Sequence, residues 1–400
     1  MSQNKIESIF NRYSYVFLSE GNNHPDGFTS VLSASDKIET DLSKLSLNDA
    51  NWKFFIAQYD LKNKFENLHS KNKKYFNKEN FGFFIPEFMQ FDFRNDYILD
   101  YAPSNFKNIK WKSSIQCTIS AEEYLNKVNQ IKQHIQRGDI YELNFCISFE
   151  ACVVGLDPLF LFYYLNSLSE APFSGIYKWD TTYVICASPE RFLKKVDQRI
   201  ITQPIKGTSP RKKGYIEDEL EKKKLLDSTK EKNENVMIVD VSRNDLSRIA
   251  ARGTVEVEEL FGIYSFKQVH QMISTVTCEL SNSNVNSSDT NIGFGEILTA
   301  TFPMASMTGA PKIKAMQLID EFENFSREYY SGSMGYVDSN GNFDSNVIIR
   351  SIYYDTSTGK LSFAVGSAIT ALCNPEQEYE ECLLKAKGIL QLFEKLNPNL

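Results

Sequence analysis

Four hundred residues suffice for one large domain or two ordinary ones, and 42% apolar with 24% charged residues is the balance of an ordinary globular chain. The formal net charge of −7 speaks against a nucleic-acid or membrane-surface partner, either of which wants a basic face. The opening MSQNKIESIFNRYSY has neither an apolar signal-peptide core nor an arginine-rich amphipathic pattern, and no apolar run approaches a bilayer span, so a cytoplasmic protein is expected.

Residues 1–115 read as a β-rich supporting subdomain. YSYVFL, WKFFIAQYD and FGFFIP are its clearest strands, and LKNKFENLHSKNKKYFNKENF is a charged helix or loop between them. A second domain, 116–400, opens with the amphipathic helix ISAEEYLNKVNQIKQHIQRGD. Ser120 caps it, Glu123 completes a capping box and Gly138 stops it. Strands YELNFCISFEACV, TTYVICAS and IITQPI follow. A single long charged helix is expected from about Ile216 to Ile249, then a polar loop, SNSNVNSSDTN, at 281–291. In TGAPKIKAMQLIDEFE, Pro311 suits the first helical turn and Ala315, Leu318, Ile319 and Phe322 form an apolar stripe. EYYSGSMGYVD, NVIIRSIYYD and LSFAVGSAITAL read as strands joined by turns. The last helix starts at cap Asn374 and Pro375 and turns Tyr379, Leu383, Ala386 and Leu390 inward. Strands outnumber crossover helices, so the expected class is α+β with antiparallel sheets.

Chemistry concentrates in the second domain. QPIKGTSPR places Lys206 between two prolines and beside Gly207, a stiff setting for a side chain that usually wanders in solvent. Such stiffness suits an amine that must be aimed, because a neutral lysine is a competent nucleophile. Glu190, in SPERFL, sits at a strand end; alone it reads as a surface glutamate paired with Arg191, but beside a lysine it can act as general acid. Two carboxylate pairs, Glu231/Glu234 and Glu378/Glu381, are each spaced i,i+3 on a helix face and look unpaired. Either alone is an ordinary solvated face; together they suit Mg2+, which takes few carboxylates and leaves places for substrate oxygens. The helix start at TGAPK and the guanidinium of Arg350, placed in the strand NVIIRS, can receive anions, with Ser306, Thr308, Tyr330 and Gly366 as neighbours. Seven cysteines without a C-x-x-C, and four histidines without metal spacing, point to free thiols in a reducing compartment and to no zinc site.

With GDIYELN, APFSGIY, SPERFL, QPIKGTSPR, ENVMIVDVSRNDLSRIA, TFPMASMTGAPKIKAMQLIDE, YSGSMGY, SNVIIRS and PEQEYEE in this order, the chain resembles the chorismate-utilising enzyme family. The match is firm over about 120–395 and faint before. The resemblance implies large antiparallel sheets packed as a sandwich with helices outside. PIKGT, where anthranilate synthases carry PIAGT, points to the aminodeoxychorismate synthase branch. It implies that Lys206 attacks C2 of chorismate while Glu190 helps expel the C4 hydroxyl, after which ammonia adds at C4 and displaces the lysine. The product would be 4-amino-4-deoxychorismate, for 4-aminobenzoate and folate. Glu234 and Glu381 would bind Mg2+, supported by Glu231 and Glu378, and the ion would take the ring carboxylate. Arg350 and Tyr330 would take the enolpyruvyl carboxylate, with Thr208, Gln271 and Glu142 also at the substrate. Ammonia would come from a separate glutaminase subunit, since the chain carries no nucleophile elbow of its own.

Some positions depart from the family pattern. Gln271 follows His270 where the family has a histidine. Glu142 stands for the glutamine of Tyr-Gln-x-Asn, Ala368 for a glycine near Gly366, and FPMAS for FPGGS. Three alternatives bear on the assignment: anthranilate synthase, disfavoured by Lys206; isochorismate or salicylate synthase, disfavoured by Glu142 where those enzymes have a lysine; and a non-catalytic chorismate-binding scaffold.

Overall fold

The computed structural model describes residues 3–91, 109–281 and 292–396. Two antiparallel sheets organise the chain. The path of the first runs Gly309–Ala310, Glu142–Val154, Lys360–Thr370, Ser351–Asp355, Thr182–Ser188, Phe173–Trp179, Tyr15–Glu20, Val31–Ser35 and Phe88–Phe91. The second runs Ile205–Pro210, Val269–Glu279, Arg199–Gln203, Arg191–Val196, Phe343–Asn346, Ser333–Val337, Lys53–Ala57 and Phe81–Phe84, with Glu256–Ser265 also on Val269–Glu279. This is the α+β sandwich expected from the sequence.

The first sheet is buried on both faces, which is why its strands read as continuous apolar runs rather than clean alternations. In Tyr15–Glu20, Val16 and Leu18 join one core while Phe17 joins the other. Ile185 and Val184 divide in the same way. Side chains alternate across a strand, so neighbours serve different layers. One core lies between this sheet and helices that contribute Ile6, Val128, Phe162, Leu318 and Ala386; the other lies between the two sheets and holds Phe54, Tyr177, Phe192 and Met334. Strands from the first 91 residues pair with strands after residue 170 in both sheets, as in Leu18 with Ile176 and Gly335 with Phe55. The change in sequence character near residue 115 is thus not a break in hydrogen bonding.

Four local expectations change. The long charged helix is two, Tyr215–Asp227 and Thr229–Ser247, because Ser228 is extended and its hydroxyl accepts the Glu231 amide. Pro311 is the N-cap of Lys312–Phe322 and not its first turn. NVIIRSIYYD is broken: the strand Phe343–Asn346 ends before Val347, and Arg350 sits at φ 51 before Ser351–Asp355 begins. In Pro375–Leu396, Leu383 is exposed and Cys382 and Ile389 are buried with Ala386, so the helix is rotated from the expected face. Ser120 caps Ala121–Gln136 and Asn374 accepts the Gln377 amide as expected. The polar loop lies, from residue 282 on, outside the described residues.

Candidate active site

A cavity of about 640 Å3 opens where the Ile205–Pro210 strand, the Lys360–Thr370 strand and the first turns of helices Thr229–Ser247 and Pro375–Leu396 converge. Of the fourteen residues singled out in the sequence, it is lined by Lys206, Glu190, Arg350, Tyr330, Gly366, Ser306, Thr208, Gln271, Glu231, Glu234, Glu378 and Glu381. Thr308 is not among them. It is fully buried and its hydroxyl donates to the Ala305 carbonyl at 3.1 Å, while its own carbonyl takes the Asn144 amide at 2.8 Å. No residue of helix Lys312–Phe322 lines the cavity, so its N-terminus is not the anion receptor expected at TGAPK.

Lys206 is aimed by a bulge. The register between Ile205–Pro210 and Val269–Glu279 shifts between Ile205 and Thr208, and Gly207 takes φ +90. An extra residue there kinks the strand and redirects the lysine. A side chain on Gly207 would also press on Glu231, whose Oε2 would lie 2.9 Å from the added Cβ. Lys206 Nζ donates to Glu142 Oε1 at 2.6 Å, and both residues are buried. Glu142 itself does not line the cavity; it stands behind the lysine. Burial pulls the ammonium pKa down, but the charges of Glu142, then Glu234 and Glu190, outweigh it, and the lysine sits above its ordinary value.

Glu190 follows Thr182–Ser188 through Pro189, at the strand end expected. It is not paired with Arg191, whose guanidinium binds Asp344 instead at 2.9 Å. The Glu190 backbone is pinned by the Val347 amide at 3.0 Å and the Ser188 hydroxyl at 3.1 Å, and its Oε1 accepts the Ile205 amide at 3.4 Å. Burial raises its pKa to about 7, the range of a usable general acid.

The carboxylate pairs do share the cavity, but they are not unpaired. Lys230 Nζ lies 3.2 Å from Glu378 and 3.9 Å from Glu234, and Lys385 Nζ lies 2.7 Å from Glu381. Among the described residues no three His, Cys, Asp or Glu side chains are already arranged as a metal cluster. The donor set nevertheless suits a hard divalent cation in kind. Glu234 Oε1 is buried with no hydrogen-bond partner, and burial raises this carboxyl to about 7. A buried oxygen in that state gains most from a nearby cation, and few carboxylates plus substrate oxygens are what Mg2+ takes.

Other polar groups wait in the same wall. Ser306 Oγ lies beside the Glu190 carboxyl, and Gln271 Oε1 is buried without a partner. Buried polar atoms are rarely left so unless a ligand completes them. Arg350 reaches the cavity, and no ion pair is found for it among the described residues, though the charge of Glu381 acts on it. His270 does not face the cavity: it is fully buried between Asp218, 2.9 Å from Nε2, and Ser265, 2.8 Å from Nδ1. Alternation along the strand gives the cavity to Gln271 instead.

Sequence reasoning missed Lys230, Lys385, Asn144 and Arg327. The first three line the cavity. Lys385 also donates to the Gly366 carbonyl at 2.8 Å. Arg327 is buried behind the floor: it pairs with Glu323 at 2.8 Å and donates to the carbonyls of Met307 and Asn144, each at 2.7 Å. A sequence signal existed for Lys230, since Ser228-Thr-Lys-Glu231 is a capping pattern that starts a helix there. None existed for Arg327.

A family model described as chorismate binding enzyme matches residues 4–391. The chain belongs to this family. Aminodeoxychorismate synthase component 1 of Escherichia coli K12 is 38% identical over 283 residues, 71% of this chain and 60% of that protein. The Klebsiella aerogenes protein of the same name is 39% identical over 282 residues, again 60% of its length, so the chain spans about three fifths of these relatives. Anthranilate synthase component I of Streptococcus pneumoniae TIGR4 superposes with a TM-score of 0.72 at 22% identity, over 94% of this chain and 92% of that one. The menaquinone-specific isochorismate synthase of E. coli gives 0.74 at 15% identity, over 96% and 90%. At such identities these two speak for the fold alone.

Proposed function

We propose that the chain aminates chorismate at C4, yielding 4-amino-4-deoxychorismate. The observation that carries this is the buried, bulge-aimed Lys206 in one cavity with a carboxyl, Glu190, whose pKa is raised to about 7. Relatives named aminodeoxychorismate synthase component 1, 38% and 39% identical to this chain, support the same choice.

In this proposal Lys206 Nζ bonds to C2, and Glu190 protonates the departing C4 hydroxyl. Glu190 is suited to the task because burial keeps its carboxyl protonated near neutral pH. Arg350 and Tyr330 hold the enolpyruvyl carboxylate; both line the cavity, and no ion pair is found for the guanidinium among the described residues. Mg2+ is the proposed cofactor, held by Glu234 and Glu381 with Glu231 and Glu378 beside them. It would supply charge for the ring carboxylate of chorismate. Lys230 and Lys385 neutralise those carboxylates otherwise, and must yield to a metal. The ammonia source is proposed to be a separate glutaminase subunit, consistent with relatives called component 1. No described helix is long and apolar enough to cross a membrane, and a cytoplasmic site is proposed.

Product analysis tests this directly. Purified chain with chorismate, Mg2+ and an ammonium salt should give 4-aminobenzoate only after aminodeoxychorismate lyase is added. Lys206→Ala should abolish the product while chorismate still binds. Anthranilate as product, or undiminished turnover by Lys206→Ala, would overturn the proposal.

A further inference from the structure

Lys206 cannot attack carbon as an ammonium, and the surroundings favour the ammonium. Carboxylates face it from several elements: Glu142 from strand Glu142–Val154, Glu190 from the turn before Arg191, and Glu234 from helix Thr229–Ser247. Glu231 and Glu381 feel its charge from the same helix and from Pro375–Leu396. Among the described residues only Glu142 is hydrogen-bonded to the amine, at 2.6 Å, across 64 residues of sequence. Its second oxygen, Oε2, is buried without a partner, so it has room for a proton. Glu142 is fully buried behind the lysine, so on that side of the amine the carboxylate and not water is the base within reach.

We propose that Glu142 is the internal base that takes the Lys206 proton and so makes the nucleophile, an inference that rests on the covalent lysine mechanism above. The proton crosses the hydrogen bond from Nζ to Glu142. The neutral amine then bonds to C2, the ring double bonds shift along the conjugated system, and the C4–O bond breaks. The hydroxyl leaves as water with the proton of Glu190. When ammonia adds at C4 the shift reverses, the C2–Nζ bond breaks, the new C4 ammonium returns a proton to Glu190, and the departing amine recovers its proton from Glu142. No electrons are gained or lost overall. A glutamine at this position cannot accept the proton, because an amide is not a base at any ordinary pH. The carboxylate at position 142 therefore gives this chain a proton path that an amide would lack.

Glu142→Gln tests the inference, with the full-length chain, chorismate and Mg2+. Two readouts are followed: covalent adduct on the quenched protein by intact mass, without ammonia, and product formation with ammonium salt, from pH 6 to 9. The expected result is adduct formation about 100-fold slower than wild type at pH 7, the range for a lost general base. The deficit should shrink as pH rises, because the lysine must then lose its proton to solvent. Equal rates and equal pH profiles would overturn the role, and a faster variant at pH 7 would mean that Glu142 restrains the lysine instead. If Glu142→Gln unfolds, Glu142→Asp decides: a slowed rate with the wild-type pH profile supports a base drawn back by one methylene, and an unchanged rate refutes it. Lys206→Ala separates the two levels. If wild type and Lys206→Ala turn over alike, the lysine mechanism itself fails. If only Lys206→Ala is dead and Glu142→Gln behaves as wild type, the base assignment alone fails.

Discussion

Glu190→Gln removes a buried acid whose charged form the fold disfavours, so it should stabilise the protein while disabling it. Burial lifts the carboxyl from 4.5 to about 7. In the unfolded chain the group ionises above about 4.5, whereas in the folded chain it stays protonated until about 7. The folded state binds the extra proton, so wild type loses stability as pH rises through this window. Below the window there is no cost; above it the cost is complete. A shift of that size is worth about 3 kcal/mol, or roughly 3 °C in Tm for a chain of this length. Glutamine fills the same space with no charge to desolvate. Thermal and urea unfolding of both proteins at pH 4.5 and pH 8 measures the effect. The variant should match wild type at pH 4.5 and exceed it at pH 8. Parallel pH dependences would refute the reasoning, as would a variant weaker at pH 8. The same protonation predicts that wild-type turnover falls as pH rises through about 7 and that the variant is about 100-fold slower.

Arg350→Met should raise KM for chorismate about 30-fold with a smaller change in kcat, since a charged hydrogen-bonding partner for a carboxylate is worth about 2 kcal/mol. Steady-state kinetics at saturating ammonium checks this, and an unchanged KM would remove Arg350 from the binding site. Gly366→Ala should cost about 1–3 kcal/mol and slow turnover, because its Cβ would lie 2.5 Å from Cys146 Sγ and 3.0 Å from the Phe145 carbonyl. Adding Cys146→Ala should recover part of the loss in urea unfolding; no recovery would mean that the sulfur is not the obstacle.

Much of the site was legible because its residues carry their own local marks. Lys206 is flanked by Pro204, Gly207 and Pro210, and Glu190 follows Ser-Pro at a strand end. Both depend on chain stiffness, which a linear sequence encodes. Ser120 and Asn374 likewise show as caps because capping is a contact within a few residues. The expected strand through Arg350 failed for a different reason. Val347, Ile348 and Ile349 are β-formers, yet Val347 amide is taken by Glu190 and Ile348 amide by Gly332, so tertiary bonds end the ladder and leave Arg350 at the cavity. Local propensity yields where long-range hydrogen bonds compete.

By itself the sequence determined the α+β class, the helix caps at Ser120 and Asn374, and a lysine, a carboxyl and two carboxylate pairs available for chemistry. Those follow from periodicity, caps and stiff turns, which are set within a few residues. Only the tertiary structure decided who faces whom. It put Glu142 on Lys206, set Lys230 and Lys385 among the carboxylates, turned Thr308 and the Lys312–Phe322 helix start away, and placed Arg327 under the floor. These pairings join strands and helices far apart in the chain, and burial decides them, because a charge taken from water must find its partner wherever packing brings one.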